Sequence, residues 1–320
     1  MILFRLVRLL AAASVVAGAT SPPLGQPKTR PITRPIARPI NVVATTPDLA
    51  ALAKAIGGDA VDVRALAKPT EDPHFVDAKP SHIVTLNRAD VLIDGGAELE
   101  MGWLPSLLES ARNDRIAQGA PGRISVSHVV RLLEVPTALD RASGDVHALG
   151  NPHFLLDPLN VRLIVAQIAE QLSAVDPASA ATHQANLARF LATLDARMVA
   201  WQRELAPYAG ARIVTYHKDF LYLAARFQLV VVETLEPKPG IAPSPAHLAA
   251  VIATMRAQHA RVILVQPYQN RRTAETVARQ TDGVVVDLAQ QPGAIPGTET
   301  YFDLMDSIVH TLAAALGRTQ

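Results

Sequence analysis

The sequence predicts an α/β protein of two lobes, each a four-stranded parallel sheet flanked by helices, joined by one long rigid helix. Between residues 41 and 177, short β-branched runs alternate with helical periods, which calls for parallel strands with helices on the sheet faces. One long helical pattern, residues 178–206, breaks that rhythm. The alternation then resumes over 207–320, so the two lobes share a plan that suggests duplication.

In the first lobe, Asn41 to Ala44 reads as a strand, and Thr46-Pro47-Asp48 opens a helix that runs through Ile56 and stops at Gly57-Gly58. Val61 to Leu66 is a second strand, and the loop after it carries Asp72-Pro73-His74. A short helix over Pro80 to Ala89, a strand over Asp90 to Asp94 ending in Gly95-Gly96, and a helix over Glu100 to Arg112 follow. Ile124 to His128 is the fourth strand. A long polar loop then leads to Asn151-Pro152-His153, with a helix over Asn160 to Ala174.

In the joining segment, Leu187, Phe190, Leu191 and Leu194 fall at helical spacing. A helix of about 28 residues is some 40 Å long at 1.5 Å per residue, more than a small domain needs, and it reads as a beam between lobes. The second lobe has strands at Arg212 to Tyr216, Val230 to Thr234, Val262 to Gln266 and Val284 to Val286. Its helices are Phe220 to Phe227, Pro245 to His259 after the turn-rich Pro237-Lys238-Pro239-Gly240, Arg271 to Gln280, and Tyr301 to Leu316.

Ahead of the lobes, residues 1–19 have the form of an export signal: Arg5 and Arg8, then the apolar run Leu9 to Val16, then Ala17-Gly18-Ala19. That run is too short to span a bilayer. Residues 20–40 are a Pro-rich basic linker whose proline density favours extended chain. The first 40 residues hold six Lys or Arg and no acid, so residues 41–320 carry 24 basic against 29 acidic groups, and the apparent pI near 8.1 is no argument for nucleic acid. With no cysteine, the chain offers no disulfide, no thiolate metal ligand and no acceptor for a lipid anchor. An exported, periplasmic protein free of the membrane is expected.

The chemistry gathers around a repeated Pro-His-Phe, at Pro73-His74-Phe75 and Pro152-His153-Phe154. Proline fixes its own φ and pushes the preceding residue into extended geometry, so each histidine is held on stiff backbone, as a ligand is presented. His74, His153, His217 and Asp287 all sit at the carboxyl end of a strand or in the loop beyond it, the edge at which open α/β sheets bind ligands. Each alone has a structural reading, Asp287 as a loop cap and His217 as a partner of Asp219; their joint placement is what points to a site. Three neutral imidazoles and one carboxylate suit tetrahedral Zn²⁺. Softness agrees, since imidazole suits zinc, copper, iron and nickel whereas oxygen ligands suit manganese, and the affinity order alone would favour copper. His147, six residues before His153, reads as a loop residue or an alternative ligand. The remaining histidines, His82, His128, His183, His247, His259 and His310, read as structural. Lys218 and Asp219 are candidates to hold the free ring nitrogen of His217.

Several motifs in order, Thr45-Thr46-Pro47-Asp48-Leu49, Glu71-Asp72-Pro73-His74, Ala89-Asp90-Val91-Leu92-Ile93, Asn151-Pro152-His153, Val214-Thr215-Tyr216-His217 and Val286-Asp287, resemble the zinc and manganese family of metal-binding solute-binding proteins of ABC importers. The resemblance covers residues 41–320. It implies that a metal, zinc with manganese or iron as the alternative, is held in the cleft between the lobes by His74, His153, His217 and Asp287. It further implies a monomer that hands its cargo to an ABC permease in the inner membrane, with a periplasmic metallochaperone as a further candidate partner and no nucleic acid. Two departures stand out. Residues 113–150 hold only His128 and His147 where many zinc members carry a histidine-rich loop, and His217 occupies a position where manganese members tend to have a carboxylate.

Three rival functions are weaker. A zinc hydrolase needs an open coordination position and a general base, and no His-Glu-x-x-His is present. A dinucleotide enzyme needs a Gly-x-Gly-x-x-Gly after a strand, which is also missing. A metal-linked adhesin on the same scaffold would bind its partner with the metal site removed.

Overall fold

The structure is a computed structural model and describes residues 38–136, 148–238 and 240–319. The export signal, residues 20–37 of the linker, and His147 lie outside the described residues.

The first sheet contains β1 (Ile40–Ala44), β2 (Val61–Ala65), β3 (Val91–Asp94) and β4 (Arg123–Ser125), all parallel, in the order β2-β1-β3-β4. The second contains β5 (Arg212–Thr215), β6 (Val230–Thr234), β7 (Val262–Val265) and β8 (Val284–Asp287), again parallel, in the matching order β6-β5-β7-β8. In each sheet the order reverses beside the first strand, so the loops after β1 and β5 open at a switch point where ligands are bound.

Strands buried on both faces read as unbroken apolar runs, and Val91-Leu92-Ile93 and Val262-Ile263-Leu264-Val265 are all inaccessible or nearly so. Alternate side chains enter different cores. Val42, Ala44, Val91 and Ile93 face a central core, whereas Val43 and Leu92 face a smaller one under α2 (Pro80–Arg88) and α3 (Leu104–Ala111). In the second sheet Ile213 and Leu264 face the central core, and Val214 and Ile263 face the layer of α7 (Pro245–Gln258) and α8 (Arg271–Thr281).

The helices begin where the sequence suggests because their start signals are local. Pro47, Pro80, Pro158 and Pro245 each take the first position of a helix, where the missing N–H costs nothing: α1 (Pro47–Gly57), α2, α4 (Pro158–Val175) and α7. Asp157 and Ser244 cap α4 and α7 by accepting the N–H of Leu159 (2.9 Å) and His247 (3.2 Å). α3 is the exception, starting at Leu104 rather than Glu100. Ala97 and Glu98 adopt left-handed backbone (φ 49° and 68°), and the Glu100 carboxylate turns inward to accept from Gly95 N (2.7 Å), Gly96 N (3.2 Å) and Thr45 Oγ1 (2.6 Å). A tertiary demand on that side chain overrides the local helical pattern.

The long helix α5 (Ala180–Leu205) has 26 residues. Phe190, Leu194, Met198, Trp201 and Leu205 form its buried stripe. Asn186 Nδ2 donates to Ile56 O of α1 (2.8 Å), and Trp201 Nε1 donates to Asp306 Oδ1 of α9 (Tyr301–Thr319) at 2.7 Å, so one rigid element grips both lobes. Between the lobes, Arg226 of α6 (Leu221–Arg226) chelates Asp157 through two bonds of 2.7 Å, and Tyr222 Oη donates to Asn151 O at 2.8 Å. Among the described residues no helix is long and apolar enough to cross a membrane.

Candidate metal centre

Both Pro-His segments are built by one local device. Asp72 Oδ1 accepts the N–H of His74, and Asn151 Oδ1 accepts the N–H of His153, each at 2.9 Å across the intervening proline. An Asx side chain bonding the backbone two residues on replaces a backbone turn, and the proline removes the competing donor. Trp103 Nε1 pins the first segment by donating to Pro73 O (2.9 Å), and Asn151 Nδ2 ties the second to the other lobe through Lys218 O (2.8 Å). His217 follows β5 at the switch point in extended conformation, φ −120° and ψ 175°.

These segments bring three imidazoles together. The Nε2 atoms of His74 and His153 lie 3.2 Å apart, as do those of His153 and His217. The rings stand nearly edge to face, at 77°, 71° and 84° to one another. Two nitrogens at roughly 2.0–2.1 Å from a tetrahedral ion stand about 3.3–3.4 Å apart. The spacing therefore fits a single ion of that geometry, and this trio is the metal-capable cluster among the described residues. His153 and His217 are buried and His74 is half-buried at a cleft of ≈ 490 Å³.

Asp287 is not brought into the trio. It ends β8 as expected, but its side chain is 52% exposed and ion-paired to Arg271, whose guanidinium also holds Glu275. The carboxylates facing the cleft are instead Asp72, Glu98 and Glu236.

The partner of His217 is likewise different from either residue proposed. Lys218 pairs with Glu134 (2.9 Å), and Asp219 accepts from Gln266 and Gln269. It is Glu236 Oε2 that lies 2.8 Å from His217 Nδ1. A carboxylate there accepts from Nδ1–H, which holds the proton on that nitrogen and leaves Nε2 free to ligate. Glu236 follows β6 as His74 follows β2, so the strand-edge rule that found the histidines applied to it as well. Gln290 was also missed: its Nε2 is 3.0 Å from His153 Nδ1, and nothing in Leu288-Ala289-Gln290-Gln291 marks it.

Several groups carry shifted affinities for protons. Burial pushes Asp219 up to about 6 and Asp48 to about 6, against the hydrogen bonds each accepts. Burial, with Asp94 nearby, raises Glu100 to about 7. For His217, burial works against the charged form, but the hydrogen bond it donates to Glu236 and the charges of Asp219, Glu236 and Asp72 outweigh it and raise the pKa. His147 lies outside the described residues. Of the other histidines, His247 Nε2 meets Thr234 O (3.0 Å) and His310 meets Glu204 (3.2 Å), away from the trio.

A family model described as zinc-uptake complex component A, periplasmic, matches residues 42–315. The high-affinity zinc uptake system protein ZnuA of Paracoccus denitrificans is 26% identical over 315 residues, covering 86% of this chain and 91% of that one. The iron-binding protein YfeA of Yersinia pestis is 25% identical over 285 residues, covering 87% and 86%. A streptococcal relative, the iron ABC transporter substrate-binding lipoprotein MtsA of Streptococcus pyogenes, is 24% identical over 247 residues, covering 76% of each. In fold, a crystal structure of ZnuA superposes with a TM-score of 0.73 at 22% identity, over 86% of this chain and 98% of that one. A manganese-bound periplasmic metal-binding protein from Candidatus Liberibacter asiaticus gives 0.69 at 20%, over 87% and 99%. The chain belongs to the zinc-uptake component A family of periplasmic substrate-binding proteins, which bind metal and serve ABC transporters and are not enzymes.

Proposed function

We propose that this protein captures zinc in the periplasm and delivers it to an ABC permease, with His74, His153 and His217 as ligands. The observation that carries the reading is the convergence of three Nε2 atoms, with 3.2 Å between neighbours, from two loops of one lobe and one of the other. An all-imidazole set favours zinc over manganese, whose preference is for oxygen ligands. The fourth position falls to water or a cleft carboxylate unless Asp287 leaves Arg271. Ligands from both lobes make loading favour closure, and release requires the permease to favour the open form, because an ion shifts an equilibrium only by its differential affinity for the two states.

The test is a chelator competition on metal-stripped protein, titrated separately with Zn²⁺ and Mn²⁺. One tight equivalent of zinc with weak manganese is expected, together with a loss of zinc affinity by orders of magnitude in His153→Ala and a small change in Asp287→Asn. Tight manganese, or unchanged zinc binding in His153→Ala, overturns the reading. A large loss in Asp287→Asn restores Asp287 as a ligand.

A further inference from the structure

Behind His153 lies a chain of buried amides that fixes where its proton sits. The backbone N–H of Gln266 can only donate, and it donates to Gln269 Oε1 at 2.8 Å. Gln269 therefore turns its Nε2 to Asp219 Oδ2 (3.0 Å), which marks that oxygen as an acceptor. Gln266 Nε2 donates to the same oxygen and to Gln290 Oε1 (2.7 Å). With its oxygen so engaged, Gln290 presents Nε2 to His153 Nδ1 at 3.0 Å. Asp219, Gln266, Gln290 and His153 are all 5% exposed or less, so water does not compete at these links, while Gln269, at the head of the chain, is half-buried at the cleft. Nδ1 of His153 is thus an acceptor, and a neutral imidazole in that setting carries its proton on Nε2. The opposite end agrees: Glu236 accepts a hydrogen bond from Nδ1–H of His217, which keeps that ring's proton on Nδ1 and leaves a bare Nε2 to accept from His153 Nε2–H across 3.2 Å.

We infer that Gln290 is a positioning residue that holds metal-free His153 in its non-ligating tautomer, so that the amide chain lowers metal affinity and eases release. The inference rests on the proposed three-histidine site. An ion at the three Nε2 atoms needs the lone pair of His153 Nε2. The ring proton must then move from Nε2 to Nδ1, with no net proton released from that ring. There it meets the N–H of Gln290, so the Gln290 amide turns over and gives up its bond to Gln266. A second group on the same chain, Gln266, acts only through Gln290.

The experiment reads tautomer and affinity separately. In ¹⁵N-histidine-labelled, metal-free protein, long-range ¹H–¹⁵N spectra at pH 8 are expected to show His153 as the Nε2–H tautomer in the wild type. In Gln290→Glu, whose carboxylate can only accept, and in Gln266→Met, which frees Gln290 without adding charge, the Nδ1–H tautomer is expected. Zinc affinity should rise about tenfold in each, the scale of one buried hydrogen bond no longer broken on loading. A merely structural role would weaken binding. Two results overturn the inference: an Nδ1–H tautomer in the metal-free wild type, or a tautomer switch in Gln266→Met with no gain in affinity. If the wild type shows the Nε2–H tautomer yet binds no zinc, the three-histidine reading fails and the tautomer assignment stands. Should Gln290→Glu fail to fold, Gln266→Met carries both readouts.

Discussion

Replacing Glu236 by glutamine removes one charge and little else, so its effect on metal binding can be worked from the bond it alters. Glu236 Oε2 accepts from His217 Nδ1 at 2.8 Å, with the histidine side chain 8% and the glutamate 19% exposed. Hydrogen bonds to charged groups contribute roughly 1.5–3 kcal/mol and neutral ones about 0.5–1.5 kcal/mol, so the amide, which still accepts, forfeits about 1–1.5 kcal/mol. That is roughly a tenfold loss of affinity at pH 8, at the lower end of what outer partners of metal-bound histidines contribute. The pH dependence separates this mechanism from loose packing. A raised pKa makes protons compete with the metal for His217 at a pH above the ordinary histidine range, so wild-type affinity falls as pH drops through that raised value. Removing the Glu236 charge lets His217 deprotonate at lower pH, so the variant's decline sets in later and the gap to wild type narrows on acidification. Chelator competition with zinc from pH 8 to pH 6 measures both curves. A tenfold gap that stays constant with pH, or no gap at pH 8, refutes the role given to Glu236.

Two further outcomes concern stability of the metal-free protein. In Arg226→Met the buried Asp157 loses both 2.7 Å bonds to its one ionic partner and keeps the cap on Leu159, at a cost of about 2–3 kcal/mol; a melting temperature lowered by roughly 5–10 °C is expected from calorimetry, and a drop under 2 °C would deny that the ion pair holds the lobes together. Asp48, raised to about 6 by burial, binds a proton in the native state at pH values where the unfolded chain is already ionised. Stability therefore falls as pH rises from about 4 to 6. Asp48→Asn keeps acceptors for Thr46 and Leu49, so it should melt higher than wild type at pH 7.5 and show a shallower decline over that window, the remainder coming from Glu100 and Asp219. An unchanged slope would mean that Asp48 is ionised throughout.

Much of this molecule is legible along the chain because its signals are local. A strand sandwiched between helix layers must be apolar on both faces, so Val91-Leu92-Ile93 and Val262 to Val265 announce themselves. Prolines at first helical positions mark the starts of α1, α2, α4 and α7 within a residue or two. The Asx-Pro-His segments are also local, since the Asx oxygen reaches only two residues on, and this is why His74 and His153 stand out in the sequence.

Other features depend on which loops meet across the cleft. Gln290 and His153 are 137 positions apart, and Glu236 lies 19 beyond His217 in a loop after a different strand. Asp287 had the right address at the end of β8, but Arg271, 16 residues earlier, pairs with its carboxylate, and the histidine trio does not include it. Glu100 lies in a stretch patterned as helix, yet Thr45, Gly95 and Gly96 claim its oxygens and delay the helix to Leu104. In each case the backbone address follows from periodicity and turn chemistry. The direction of a polar side chain follows from the strongest partner within reach, and that partner is brought near only by folding.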